Sequence, residues 1–175
     1  PIYRLYTWGT VGIIYNTKYV TKTVDSWDIL WDEDYKGKIL MFDNSRDAFA
    51  IALEKLGYSV NTENEDEINE AAELLKEQKP LVQAYVMDRI FDKMEEENAW
   101  VAPYYAGDFI TMHEENENLA FAFPKEGSNF FVDAMCIPKG CKNKEAAEMF
   151  INFMCEPKIS AENCNATGYS TPIDA

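Results

Sequence analysis

The feature that most constrains the fold of this chain is a regular alternation of short β-rich runs with amphipathic helical segments. VGIIYN (11–16) and KILMFD (38–43) are rich in β-branched and apolar residues and predict strands. SRDAFAIALEKLGY (45–58) carries an apolar stripe at helical spacing and predicts a helix that Gly57 ends. Strands separated by helices of this length predict an α/β fold with a mixed, mostly parallel sheet flanked by helices.

The same alternation continues through most of the 175 residues. A capped helical turn is predicted at 25–31, with Ser26 as the cap. The remaining predicted helices are 65–79, 87–98, 107–116 and 143–157, and the remaining predicted strands are 81–86, 99–105, 119–124 and 129–137.

The charge of the chain is strongly acidic, with 16 basic and 31 acidic residues and a formal net charge of −15. Such a field repels nucleic acid and anionic membranes and favours cationic ligands, although acidic surface also serves solubility.

Four cysteines fall near the end of the chain without a Cys-x-x-Cys pair, and His113 is remote from them in sequence. We therefore expect free thiols, with a Cys155–Cys164 or Cys136–Cys141 bridge as the alternative, and no metal site and no cofactor.

Polar residues follow the predicted strand 38–43, at the place where open α/β sheets bind ligands. Asp43 ends the strand, and Asn44, Ser45 and Asp47 open the next helix. Helix capping explains the first three residues well, because Asp, Asn and Ser satisfy free N–H groups at a helix start. Asp47 lies one turn further in, where a capping role and a ligand-binding role remain equally open.

Two further strands carry candidate site residues. Tyr104 and Tyr105 end a predicted strand, and we expect one ring to face the core and the other the strand-end opening. Asp108 follows in YYAGD, as a cap or as a ligand-binding residue. In GSNFFVDAM (127–135), Phe131 and Asp133 are two residues apart and therefore share one face of a strand.

These residues favour a binding site over an active site. No nucleophile elbow and no glycine-rich phosphate loop occurs, and His113 is expected on a helix surface. A carboxylate pair could serve a glycosidase, but no spacing demands one. Carboxylates beside aromatic rings suit a cation with an apolar stem, such as a polyamine, and suit a sugar almost as well.

The chain also resembles a known family, the spermidine/putrescine-binding proteins, which are extracytoplasmic receptors of polyamine ABC transporters. The pattern SW..LW...YKGK with R.AF..AL..LGYS.NT is specific to these receptors. The matching stretches, in the order of the family, are YTWGTVGIIYN (6–16), SWDILWDEDYKGKILMFDNSRDAFAIALEKLGYSVNT (26–62), YYAGDF (104–109), FAFPKEGSNFFVDAMCIPKGCKNKEAAEMFINFM (121–154) and GYSTP (168–172).

The resemblance implies a periplasmic-binding-protein-like (type II) fold, with a ligand clamped between two lobes. Residues 1–10 would form the first crossing strand, 11–128 the second lobe, and 129–175 a return strand and helices of an incomplete first lobe. We expect the chain to lack the rest of that lobe, whose uncovered surfaces can drive dimer formation or domain swapping. The implied partners are a polyamine and the membrane permease of an ABC transporter. The receptor would act outside the cytoplasm, either free, anchored to the membrane or fused to a membrane subunit.

The family's ligand-binding residues map onto named positions of this chain. Asp47 and Asp133 match family carboxylates and would bind ammonium groups. Asn44 replaces a family carboxylate, and Tyr105 and Phe131 replace tryptophans, which weakens the ring electrostatics. Asp108 is expected to compensate for Asn44. The alternatives are the same fold with a sugar or another small cation, and, less favoured, a carboxylate-based hydrolase.

Overall fold

The computed structural model describes residues 3–173, and these divide into two compact units. The larger unit comprises residues 11–129, and the smaller comprises the described residues up to Thr10 together with those from Phe130 onward. Positions 1, 2, 174 and 175, which belong to the predicted segments 1–10 and 129–175, lie outside the described residues. Within residues 3–173, no helix has the length and apolar character that crossing a bilayer requires.

The larger unit is built on a five-stranded sheet with the order β3-β2-β4-β1-β5. Its strands are β1 (Tyr3–Asn16, from Val11 onward), β2 (Ile39–Phe42), β3 (Val82–Val86), β4 (Val101–Tyr105) and β5 (Leu119–Ala122). β2 pairs in parallel with β3 and β4, whereas β1 pairs antiparallel with β4 and β5. Four strands therefore share one direction, and the predicted α/β class with a mixed, mostly parallel sheet is confirmed.

The helices of the larger unit are capped by side chains in only some cases. They are α1 (Ser45–Leu56), α2 (Glu65–Gln78), α3 (Ile90–Glu95) and α4 (Ala106–Glu115), with 3₁₀ turns at Trp27–Trp31 and Glu33–Tyr35. The side chain of Asn44 caps α1 by accepting from Arg46 N at 3.0 Å. Gly57, at φ 79°, ends α1 in the left-handed conformation that glycine adopts most easily.

The core of the larger unit lies on the sheet and fixes the ends of its strands. All four residues of β2 are buried, and Ile13, Ile14 and Trp27 have no exposed surface. Continuous apolar strands of this kind are typical of sheets covered on both faces. The strand ends that precede α1 and α4 are therefore anchored in packed structure.

The smaller unit is a two-stranded antiparallel ladder with two helices. The first part of β1 pairs with β6 (Phe130–Cys136), with Thr7 opposite Asp133 and Gly9 opposite Phe131. Helices α5 (Lys144–Met154) and α6 (Pro157–Thr167) follow. Helix α6 was missing from the sequence prediction, although Pro157 at its first turn and the positive-φ Gly168 after its end are start and stop signals.

Candidate functional site

Acidic side chains follow three neighbouring parallel strands of the larger unit. Asp88 follows β3, Asp47 lies in the first turn of α1 after β2, and Asp108 lies in the first turn of α4 after β4. Burial, together with the charges of Asp108, Asp88 and Asp47, raises the pKa of Tyr104 to about 12. Because all three carboxylates act on one hydroxyl group, they concentrate negative potential at this edge of the sheet.

Tyr104 and Tyr105 face opposite environments, as the sequence predicted. Tyr104 is 3% exposed and stacks on Phe42 with ring centroids 5.6 Å apart. Tyr105 is half-buried, and its hydroxyl donates to Asp47 Oδ2 at 2.8 Å. Burial, the bond to Asp47 and nearby negative charges raise the pKa of Tyr105. Its hydroxyl therefore stays protonated and remains a donor at neutral pH.

Asn44, one of the predicted ligand-binding residues, has a structural role in α1. Its Oδ1 accepts the backbone N–H of Arg46, as capping predicts, and the residue is exposed. The guanidinium of Arg46 extends to Asn61 Oδ1 at 3.5 Å. Asp108 is half-buried, and its charge acts on both Tyr104 and Tyr105. The larger unit thus gathers Asp47, Tyr105 and Asp108, with Asn44 at the start of α1.

The smaller unit carries the other two predicted residues on β6. Asp133 is exposed and accepts from the Thr7 hydroxyl at 2.9 Å, while Thr7 itself is only 5% exposed. The Phe131 ring meets the Tyr169 ring edge-on, with centroids 6.1 Å apart. A Cβ atom on Gly9 would lie 2.7 Å from the Phe131 ring, so only glycine leaves room for the ring there.

Three residues of these two clusters escaped sequence reasoning, namely Thr7, Asp88 and Tyr169. Asp88 had a usable signal, because it lies two positions after the predicted strand 81–86. Tyr169 lies in the stretch GYSTP, which carries part of the family resemblance but gave no role by itself. Thr7 had no local signal, because its partner is 126 positions away.

Chemically, both clusters are suited to binding cations. No group of three or more metal-ligating side chains that could hold an ion occurs within residues 3–173. His113 is exposed near the end of α4, and its Nδ1 bonds the Leu119 carbonyl oxygen at 2.8 Å. Each cluster offers a carboxylate beside an aromatic ring, which are the groups that attract ammonium ions.

Comparison with known proteins agrees with this reading. The family model of the bacterial extracellular solute-binding proteins matches residues 2–175. The chain belongs to this family. The spermidine/putrescine-binding periplasmic protein of Salmonella typhimurium is 36% identical over 168 residues, which cover 95% of this chain and 48% of that protein. The solute-binding chain thus spans about half the length of the curated relatives it matches, and the resemblance found from the sequence is confirmed.

Solved structures of solute-binding proteins show the same fold. The spermidine/putrescine ABC transporter substrate-binding protein PotD from Streptococcus pneumoniae gives a TM-score of 0.84 at 37% identity, covering 98% of this chain and 53% of that one. The TpPotD lipoprotein of Treponema pallidum gives a TM-score of 0.89 at 32% identity, covering 96% and 54%. The solute-binding fold that the resemblance implied is therefore confirmed.

Proposed function

We propose that this chain is part of an extracytoplasmic receptor that binds spermidine or putrescine and delivers it to the permease of an ABC importer, without catalysis. The observation that carries the proposal is that Asp47 and Asp133 are bonded to hydroxyl groups and not to basic side chains. Each accepts a hydrogen bond from a neutral hydroxyl, and neither forms an ion pair with a basic side chain of residues 3–173. Their negative charge is thus available to an external cation.

The energetics of these groups favour an amine with an apolar stem. A cation over an aromatic face gains about 0.5–2 kcal/mol, and a hydrogen bond to a carboxylate gains about 1.5–3 kcal/mol. Burial of each methylene against Tyr105, Phe131 or Tyr169 adds about 0.8 kcal/mol. Asp47 and Asp133 are each suited to bind an ammonium group. The similarity to spermidine/putrescine-binding periplasmic proteins supports the same ligand class and a place outside the cytoplasm.

Isothermal titration of the full-length protein with spermidine, putrescine and a neutral sugar tests the proposal. We expect binding of a polyamine, no heat from the sugar, and a loss of at least about tenfold in affinity for Asp47→Asn and for Asp133→Asn. Glu70→Gln is a matched control, because Glu70 also accepts from a tyrosine hydroxyl, that of Tyr58 at 2.7 Å. If only the sugar gave a heat of binding, the proposed polyamine ligand would be wrong and the ligand would be a sugar.

Asp108 is the proposed substitute for the charge that Asn44 lacks. Because its field reaches Tyr104 and Tyr105, it contributes to the same negative potential as Asp47. Asp108→Asn should therefore weaken polyamine binding about threefold to tenfold in the same titration. An unchanged affinity would mean that Asp108 has no role in ligand binding and only favours the start of α4.

A further inference from the structure

Both candidate carboxylates are held by a hydroxyl group from a strand of their own unit. Oδ2 of Asp47 accepts from Tyr105, the last residue of β4, at 2.8 Å. Oδ2 of Asp133 accepts from Thr7 of β1, its direct cross-strand neighbour, at 2.9 Å. These partners are 58 and 126 positions apart in sequence, so the fold alone brings them together. In each case the bond occupies one oxygen of the carboxylate.

A hydrogen-bond donor on one carboxylate oxygen fixes the plane of the carboxylate and therefore the direction in which its other oxygen points. The terminal torsion of aspartate is broad, so an unsupported carboxylate loses rotational freedom when it binds a ligand. A hydroxyl is suited to prevent this loss, because it donates one hydrogen bond without the positive charge of Lys or Arg. Thr7 is 5% exposed and Tyr105 is half-buried, so both donors are themselves held by packing.

We propose that Tyr105 and Thr7 are positioning residues, which orient Asp47 and Asp133 so that the second carboxylate oxygen of each is presented to an ammonium group. The proposal rests on the proposed polyamine-binding function and adds a role to it. Tyr105 acts through its hydroxyl as well as its ring, and Thr7 contributes to binding although it is buried opposite Asp133 on the neighbouring strand.

The test is titration of the full-length protein with spermidine after removal of each hydroxyl. Tyr105→Phe keeps the ring and Thr7→Val keeps the shape, and each should raise Kd about tenfold. Thr7→Ser restores a donor and should bind nearly as well as the wild type. The matched controls are Tyr58→Phe and Thr62→Val, which remove hydroxyl bonds to Glu70 and Glu67. These controls should leave Kd unchanged.

Double variants separate positioning from general loss of structure. If Tyr105 acts through Asp47, adding Tyr105→Phe to Asp47→Asn should raise Kd by less than about twofold further. A further tenfold rise would overturn the positioning role. Unchanged Kd in Tyr105→Phe and Thr7→Val, with binding lost in Asp47→Asn and Asp133→Asn, would overturn this inference and leave the proposed function standing. Unchanged Kd in the aspartate variants would overturn both.

Discussion

Replacing Glu54 by glutamine should change how the stability of the protein depends on pH. Glu54 is a residue of α1 that is only 8% exposed, and it accepts a hydrogen bond from the indole Nε1 of Trp27 at 2.9 Å. The pKa of Glu54 is raised from 4.5 to about 7. Burial is the main cause, and the negative charge of Glu126 also raises the pKa, whereas the hydrogen bond from the Trp27 indole lowers it. Near pH 6 the folded protein therefore holds a proton that the unfolded chain has released.

The sign and size of the effect follow from this difference in bound protons. A folded pKa above the unfolded value means that the free energy of unfolding falls as pH rises from about 4.5 to about 7 and is level above that. The loss at pH 8 amounts to about 3 kcal/mol. The glutamine amide can accept the same indole bond without a charge. Glu54→Gln should therefore be more stable than the wild type by about 3 kcal/mol at pH 8 and by about 1 kcal/mol at pH 5.5.

Urea unfolding followed by tryptophan fluorescence between pH 5.5 and 8.5 measures both proteins well above the pI of about 4.4. Glu77→Gln is the matched control, because Glu77 is exposed on α2 and its replacement removes the same charge from a solvated position. This control should follow the wild-type curve. Parallel pH dependences for Glu54→Gln and the wild type would refute the raised pKa of Glu54 and the burial that explains it.

Three other substitutions test separate features of the two units. Gly9→Ala places a methyl group 2.7 Å from the Phe131 ring and 3.0 Å from the Tyr169 ring, so both rings must shift. The affinity for spermidine, measured by calorimetry, should therefore fall about tenfold. An unchanged affinity would mean that the two rings are not part of the binding site. Asn44→Asp keeps a good helix cap and adds a charge, so thermal unfolding should stay unchanged while spermidine affinity rises, and a lower affinity would contradict this. Phe150→Glu should reduce self-association of the 175-residue chain in sedimentation experiments, because this ring is 60% exposed on α5; a wild-type chain that is monomeric would count against the expectation.

The sequence was sufficient for those features that depend on neighbours along the chain. The alternation of strands and helices, the cap at Asn44 and the end of α1 at Gly57 all follow from residues within a few positions of one another. Helix α6 was missed because PKISAENCNAT has few apolar residues and no clear stripe. The bond between Trp27 and Glu54 was not predictable, because it joins positions 27 residues apart through the packed core.

The candidate site was predictable to a similar extent and for the same reason. Asp47 and Asp133 were proposed from local patterns, a helix start and an alternating strand, together with the family resemblance. Their hydroxyl partners were not found, because a donor such as Thr7 is defined only by strand register. Sequence patterns therefore identify candidate charged residues at helix starts and on strand faces, while the fold decides which of those charges lack a basic partner.

The position of Asp47 explains how its charge can persist without a basic partner. Asp47 lies in the first turn of α1 and Asp108 in the first turn of α4, where the helix dipole favours negative charge by about 0.3–1 kcal/mol. A lysine or arginine would stabilise Asp47 more strongly, but it would occupy the oxygen that an ammonium group needs. The helix N-terminus and the Tyr105 hydroxyl stabilise the carboxylate without that competition. The helix start and the proposed binding role of Asp47 are therefore compatible, because the first-turn position stabilises the carboxylate without pairing it with a basic side chain.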